Sequence, residues 1–127
     1  MKDYPALVKD PEIGWAYREA LIAARQFAEV EKQLPALIKS ENRADAGRAL
    51  LMRGDIRKAQ GNLELAIRDY LRVVLFFERE AALMPAALLR VAQALEQNRD
   101  GRAKEFYRRL LQEYPESPEA AAAKGKA

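Results

Sequence analysis

The chain has no cysteine and no histidine. Without cysteine there is no disulfide to staple the fold and no redox clue to compartment. Without histidine the commonest metal ligand and the commonest general base are both missing. No apolar run reaches the roughly 18 residues of a transmembrane helix, so no membrane span is expected. The opening MKDYPALVKD holds no apolar stretch long enough for a signal peptide. That leaves a cytoplasmic protein, or a periplasmic one if the chain is excised from an exported precursor.

Catalytic constellations are missing too. Glu78 and Glu80, or Glu29 and Glu31, are neighbouring carboxylates, but two residues apart on a helix they point away from each other. No glycine-rich phosphate loop, metal-spaced cluster or nucleophile with a base is present. The sequence therefore reads as not an enzyme, with no catalytic residues, no metal and no cofactor.

What is there is helical. Half of the 127 residues are apolar and 32% are charged, enough for one domain with a continuous core. Glycine and proline number six each and sit mostly at apparent element ends. Net charge is +3 and the basic excess is spread along the chain.

The most informative stretch is Leu50 to Val74, LLMRGDIRKAQGNLELAIRDYLRVV. It reads as two amphipathic helices joined at Gln60-Gly61-Asn62. Leu63, Ala66, Tyr70, Val73 and Phe77 fall on one stripe at spacings of three and four. Gly61 suits the end of the first helix because it takes positive φ at low cost, and Asn62 suits a cap for the second. Gly54 and Ala66 are small enough to let the two backbones approach closely.

Six helices and a short tail helix are expected along the chain. Helix 1 covers about 11–24, with Asp10 as N-cap, Pro11 in the first turn and an inner stripe of Ile13, Ala16, Tyr17, Ala20, Leu21 and Ala24. Helix 2 covers about 27–39, with a kink or break expected near Glu31–Leu34 because Pro35 lies inside it. Helix 3 runs 43–60 behind an Asn42 cap. Helix 4 runs 63–83, a turn long because no proline stops it near Glu78. Helix 5 runs 85–97 and helix 6 runs 101–114 behind an Asp100 cap. Ser117-Pro118-Glu119 then restarts a helix.

Ala66 to Ala103, Tyr70 to Tyr107 and Val73 to Leu110 are each 37 residues apart; Val30 to Ala66, Leu34 to Tyr70 and Leu37 to Val73 are each 36. Three helical hairpins at this period resemble the tetratricopeptide repeat. The resemblance rests on the small residue in the first helix, the glycine in the turn, the small residue early in the second helix, the aromatic after it, and the closing YPESPEA. It is closest over 44–77, good over 85–120 and faint over 11–40. The nearest kinds of repeat domain are those of bacterial cell-envelope proteins, among them Tol–Pal-associated division coordinators and outer-membrane lipoproteins.

The resemblance implies an all-α fold: three tandem hairpins (11–39, 43–83 and 85–114) in a short right-handed α-solenoid, spanning 11–116. A leader at 1–10 precedes them, and a capping helix and tail at 117–127 follow. Arg53 and Arg57 depart from the pattern, standing where the family places leucine and an aromatic. Either their stems pack while the guanidinium groups reach water, or helix 3 turns Met52, Ile56 and Ala59 inward.

Carried over from the family, the concave groove would be lined by Glu12, Trp15, Glu19 and Ile22, by Arg48, Leu51, Asp55 and Lys58, and by Leu89, Gln93 and Glu96. Such a groove implies a protein or peptide partner. Trp15 reads equally as core. A second class of function is a homo-oligomer built through the terminal hairpins, with the small-residue tail Ala120–Ala123 admitting another helix. The third is RNA binding through an arginine face of Arg43, Arg48, Arg53, Arg57, Lys58, Arg68, Arg72, Arg108 and Arg109. Interleaved Asp45, Asp55, Glu64 and Asp69 read as a solvated face and disfavour nucleic acid.

Overall fold

The computed structural model describes residues 10–127. The leader and its residues Tyr4 and Leu7 therefore fall outside the described residues. The described chain is seven α-helices and one 3-10 turn, with no strand among the described residues. They are α1 Pro11–Ala23, α2 Phe27–Ile38, α3 Arg43–Ala59, α4 Leu63–Phe76, the turn Ala81–Leu83, α5 Met84–Gln97, α6 Ala103–Glu113 and α7 Pro118–Ala123. Each helix packs mainly on its neighbours in sequence: α1 on α2, α2 on α3, α3 on α4, α4 on α5, α5 on α6, and α7 on both α5 and α6. That chain of nearest-neighbour contacts is the architecture of an α-helical repeat protein.

Local chemistry sets the helix starts. The Asp10 carboxylate accepts the Glu12 amide at 2.9 Å and the Asn42 side chain accepts the Asp45 amide at 3.0 Å. The Ser117 hydroxyl accepts the Ala120 amide at 3.2 Å, with Pro118 in the first turn. Asn62 does not cap with its side chain as the sequence suggests; its φ of −97° and ψ of 67° are not the extended geometry a capping side chain uses. Asp100 accepts the Arg102 amide at 2.9 Å, so it orders the turn before α6, which begins at Ala103.

The three hairpin turns share one hydrogen-bond pattern. In the first, Arg25 donates to the Ile22 carbonyl at 2.9 Å and Gln26 to Leu21 at 2.8 Å. In the second, Gly61 donates to Lys58 at 3.1 Å and Asn62 to Arg57 at 2.8 Å. In the third, Arg99 donates to Glu96 at 2.9 Å and Asp100 to Leu95 at 2.8 Å. These are paired C-terminal capping bonds around one left-handed residue. That residue is glycine only at Gly61, with φ 87°; Arg25 and Arg99 hold φ 59° and 58° against their side chains.

The core falls into two clusters that share α3. Ala49, Met52 and Ile56 face Trp15, Val30 and Leu34, while Ala46, Leu50 and Leu51 join the larger cluster with α4, α5, α6 and Ala123 of α7. Tyr70 lies across Gly54 so closely that a Cβ there would meet ring carbon Cδ1 at 2.8 Å.

Several expectations are corrected. The inner stripe of α1 is Gly14, Trp15 and Arg18, with Leu21 half-buried against the same core as expected, and Ile13 is 51% exposed. Trp15, the largest apolar side chain, claims the interior, and one residue of rotation turns the helix by about 100°, sending Ala16, Ala20 and Ala24 outward. Helix α2 runs unbroken through Pro35, which sits on the exposed side. Helix α4 stops at Phe76 without a proline. Arg43 at the start of α3 donates to the Phe76 carbonyl at 2.6 Å and lies 3.9 Å from the centre of the Phe77 ring. Phe77, only 7% exposed, folds into the core and ends the helix.

Arg53 and Arg57 follow a third course. Arg53 grips Asp69 of α4 with two bonds of 3.0 and 2.9 Å, and Arg57 adds one of 3.0 Å. Asp69 is 1% exposed, so it is no part of a solvated face. A buried carboxylate needs paired charge and filled lone pairs, and the two arginines provide both. Met52 and Ile56 do turn inward, while Ala59 is exposed.

Two consequences can be measured by urea unfolding. Arg99→Gly should raise stability by about 1 kcal/mol, because glycine relieves the left-handed strain at an exposed turn; an unchanged or lower midpoint would contradict that account. Gly54→Ala should lower stability by about 2 kcal/mol, the overlap with the Tyr70 ring exceeding the gain in helix propensity.

Candidate functional site

The first helices of the three hairpins meet along one side and leave a cleft of about 370 Å³. Helix α1 contributes Glu19, Ile22 and Ala23, helix α3 contributes Arg48, Leu51, Met52 and Asp55, and Leu83, Ala86 and Arg90 close the far wall. Its charges are paired within the chain. Arg48 reaches Glu12 at 3.1 Å and Glu19 at 3.6 Å on α1. Arg90 grips Asp55 with two bonds of 2.9 and 3.0 Å.

Asp55 is the hub of this wall. Besides Arg90 from α5, it accepts the Tyr70 hydroxyl of α4 at 2.6 Å, so one carboxylate of α3 ties together three helices. Burial opposes the charge of Arg90, but its bonds to Asp55 and the Asp55 charge outweigh that and raise its pKa. Burial, together with the Asp55 charge and hydrogen bond, lifts the Tyr70 phenol far above the ordinary tyrosine range.

Of the expected groove residues, the structure brings Glu19, Ile22, Arg48, Leu51 and Asp55 into the cleft. Glu12 stands behind Arg48. Trp15 is 3% exposed and lies beneath the guanidinium groups of Arg18 and Arg48, at 4.7 and 4.8 Å from its ring centre, so it packs as core under the cleft wall. Lys58 and Gln93 are exposed elsewhere, and Leu89 packs half-buried against the larger core. Glu96 turns to the other end of α5, where it accepts the Tyr107 hydroxyl at 2.6 Å and pairs with Lys126 at 3.1 Å. Its pKa is lowered by the Tyr107 bond and then by Lys126.

Sequence reasoning missed Ala23, Met52, Leu83, Ala86 and Arg90. The spacing of Ala86 and Arg90 is one helical turn, and Arg90 is opposite in sign to Asp55, but nothing local couples residues 35 apart. Leu83 was hidden by the assumption that α4 runs to it.

The raised Tyr70 pKa has a signed consequence. In the unfolded chain the phenol loses its proton near pH 10, whereas in the folded chain it keeps it. The stability so contributed is intact below pH 10 and is lost as pH rises above it, by roughly 1 kcal/mol per pH unit. Unfolding free energies from pH 9 to 11 should therefore fall less steeply in Tyr70→Phe than in the wild type; parallel slopes would contradict the buried, bonded phenol.

No curated protein and no solved structure matches the chain. A family model described as tetratricopeptide repeat matches residues 86–117, which hold most of α5, all of α6 and the turn after it. The described chain is thus an all-α helical-repeat protein that is similar to the tetratricopeptide repeat family over residues 86–117.

Proposed function

We propose that this chain is a non-catalytic scaffold that binds a protein or peptide segment in the cleft between α1, α3 and α5. The cleft itself carries the reading: an apolar floor of Ile22, Leu51, Met52 and Ala86, rimmed by arginines already paired with carboxylates. A wall with no unpaired charge takes an apolar segment without stranding an ion, and the rim offers hydrogen bonds to its backbone. Asp55 holds the α3 and α5 walls in register and Arg48 ties α1 to α3, so the cleft is largely formed before a partner arrives. The tetratricopeptide repeat at 86–117 supports a protein partner as well. The likeness of 44–77 to bacterial cell-envelope repeat domains supports an envelope setting.

The other two readings draw less support. Ala120 and Ala123 are already buried against the chain's own helices, so the small face of the tail is occupied. Arg53 and Arg57 are held by Asp69 and Arg48 by Glu12 and Glu19, which reduces the cationic face offered to nucleic acid. Among the described residues there is no cluster of three metal-ligating side chains, and no helix is long and apolar enough to cross a membrane.

A displayed library of random 16-residue peptides tests the proposal. Peptides selected on the wild type should be rich in apolar residues and should bind at least about tenfold more weakly to Ile22→Glu. They should also weaken on Ala23→Arg, which crowds the cleft from an exposed position; circular dichroism checks that both variants stay helical. Peptides that bind both variants as tightly as the wild type would place their site elsewhere and remove the proposal.

A further inference from the structure

A second surface lies on the outer face of α4. Among the described residues, four large apolar side chains are exposed, and three of them are on this helix: Leu65 at 37%, Leu75 at 61% and Phe76 at 67%. At about 100° per residue, Leu65, Arg68, Arg72, Leu75 and Phe76 fall within one stripe roughly a quarter-turn wide. Its two ends are apolar and its middle is cationic. Arg68 and Arg72 are exposed, and among the described residues neither takes part in an ion pair. The end bearing Leu75 and Phe76 borders a dent of about 370 Å³ that also involves Arg43 and Arg79.

The repeat supplies a control within the chain. Stepping back 36 residues from Leu65, Leu75 and Phe76 gives Glu29, Lys39 and Ser40. Stepping forward 37 gives Arg102, Gln112 and Glu113. The other two hairpins are polar at all three positions, so the architecture does not require apolar side chains there. Only the middle hairpin displays them, and isolated apolar stripes of this kind mark contact surfaces.

Charge decides the occupant. A second copy laid antiparallel on the stripe would set Leu65 against the Leu75–Phe76 end but would also set Arg68 against Arg72, like charge on like charge. A partner that keeps the apolar contacts at both ends must carry carboxylates between them. Leu65 and Phe76 are 11 residues apart, about 16 Å along the helix, a span that another helix matches with apolar residues three turns apart. An anionic bilayer would also be drawn to Arg68 and Arg72, but Glu64 and Glu78 flank the two apolar ends that would have to enter it. We propose that the outer face of α4 docks an acidic amphipathic helix of another protein, independently of the cleft.

The probe is a displayed library of random 18-residue peptides, selected on the wild type and counter-selected on Leu75→Gln/Phe76→Glu, which carries the residues that α6 holds at the equivalent positions. Both sites are exposed, so the double variant should fold; circular dichroism and urea unfolding check this. The surviving peptides should hold Asp or Glu between apolar residues about three turns apart. They should bind Arg68→Glu/Arg72→Glu at least about tenfold more weakly, and lysine-substituted versions should then prefer that variant. They should bind Ile22→Glu unchanged, which separates this surface from the cleft. Survivors that are basic or uncharged in the middle would overturn the proposal, as would an absence of peptides sensitive to the α4 changes. Two other results would overturn it in favour of a different occupant. One is a dimer mass by light scattering that collapses in Leu75→Gln/Phe76→Glu. The other is co-sedimentation with phosphatidylserine vesicles that depends on Phe76.

Discussion

One carboxylate organises the middle of this molecule. Asp55 accepts a phenol from α4 and a guanidinium from α5, and the residue before it, Gly54, is bare so that the Tyr70 ring can lie against the α3 backbone. The two facts depend on each other. The ring must cross Gly54 for its hydroxyl to reach Asp55, and the close approach is what brings α3 and α4 into one hairpin. Arg90 then fixes the third hairpin to the second by the same acceptor. The spacing of α3 and α5, and with it the separation of two of the cleft's three walls, follows from this node. An arginine–carboxylate fork specifies distance and angle together, which apolar packing alone does less sharply.

A second carboxylate does comparable work on the other side of the same hairpin. Asp69 is buried between α3 and α4 and is held by Arg53 and Arg57. Those arginines occupy positions where the repeat usually has leucine and an aromatic. An ion cluster thus stands within the seam between α3 and α4, in the stretch that most resembles the repeat by spacing. The family model nevertheless matches 86–117, where α5 and α6 keep an apolar seam with Leu88, Val91, Leu95 and Leu110 all buried.

The sequence was legible where structure is decided locally. Asp10, Asn42, Ser117 and Gly61 announced their helix ends, and the 36- and 37-residue spacings announced the hairpins. It was illegible where a distant side chain decides. Arg43 takes the last carbonyl of α4 from 33 residues away, and Arg90 faces the cleft because Asp55 holds it there. In α1 apolar residues surround the helix, so periodicity alone could not choose a face, and the volume of Trp15 chose it. Asp69 looked like surface charge because alternation of sign describes an exposed face and a buried ion cluster equally well. The α4 face shows the converse: Leu75 and Phe76 were absorbed into a longer helix in the sequence reading, and only their exposure reveals them as surface.

The division of the core along α3 has a consequence for how the molecule comes apart. Trp15, Val30 and Leu34 rest on Ala49, Met52 and Ile56, whereas the larger cluster beyond α3 is built without them. Helix α3 is a party wall. If α1 and α2 lift away, the wall still stands against α4, and the room on its far side keeps its contents. Apart from Ile38, which touches both clusters, the first hairpin rests on the smaller one, so it is expected to open at a lower free energy than the whole. One wall of the cleft, Glu19, Ile22 and Ala23, belongs to that hairpin. The cleft can widen by losing its loosest side while Asp55 keeps the other two helices in register.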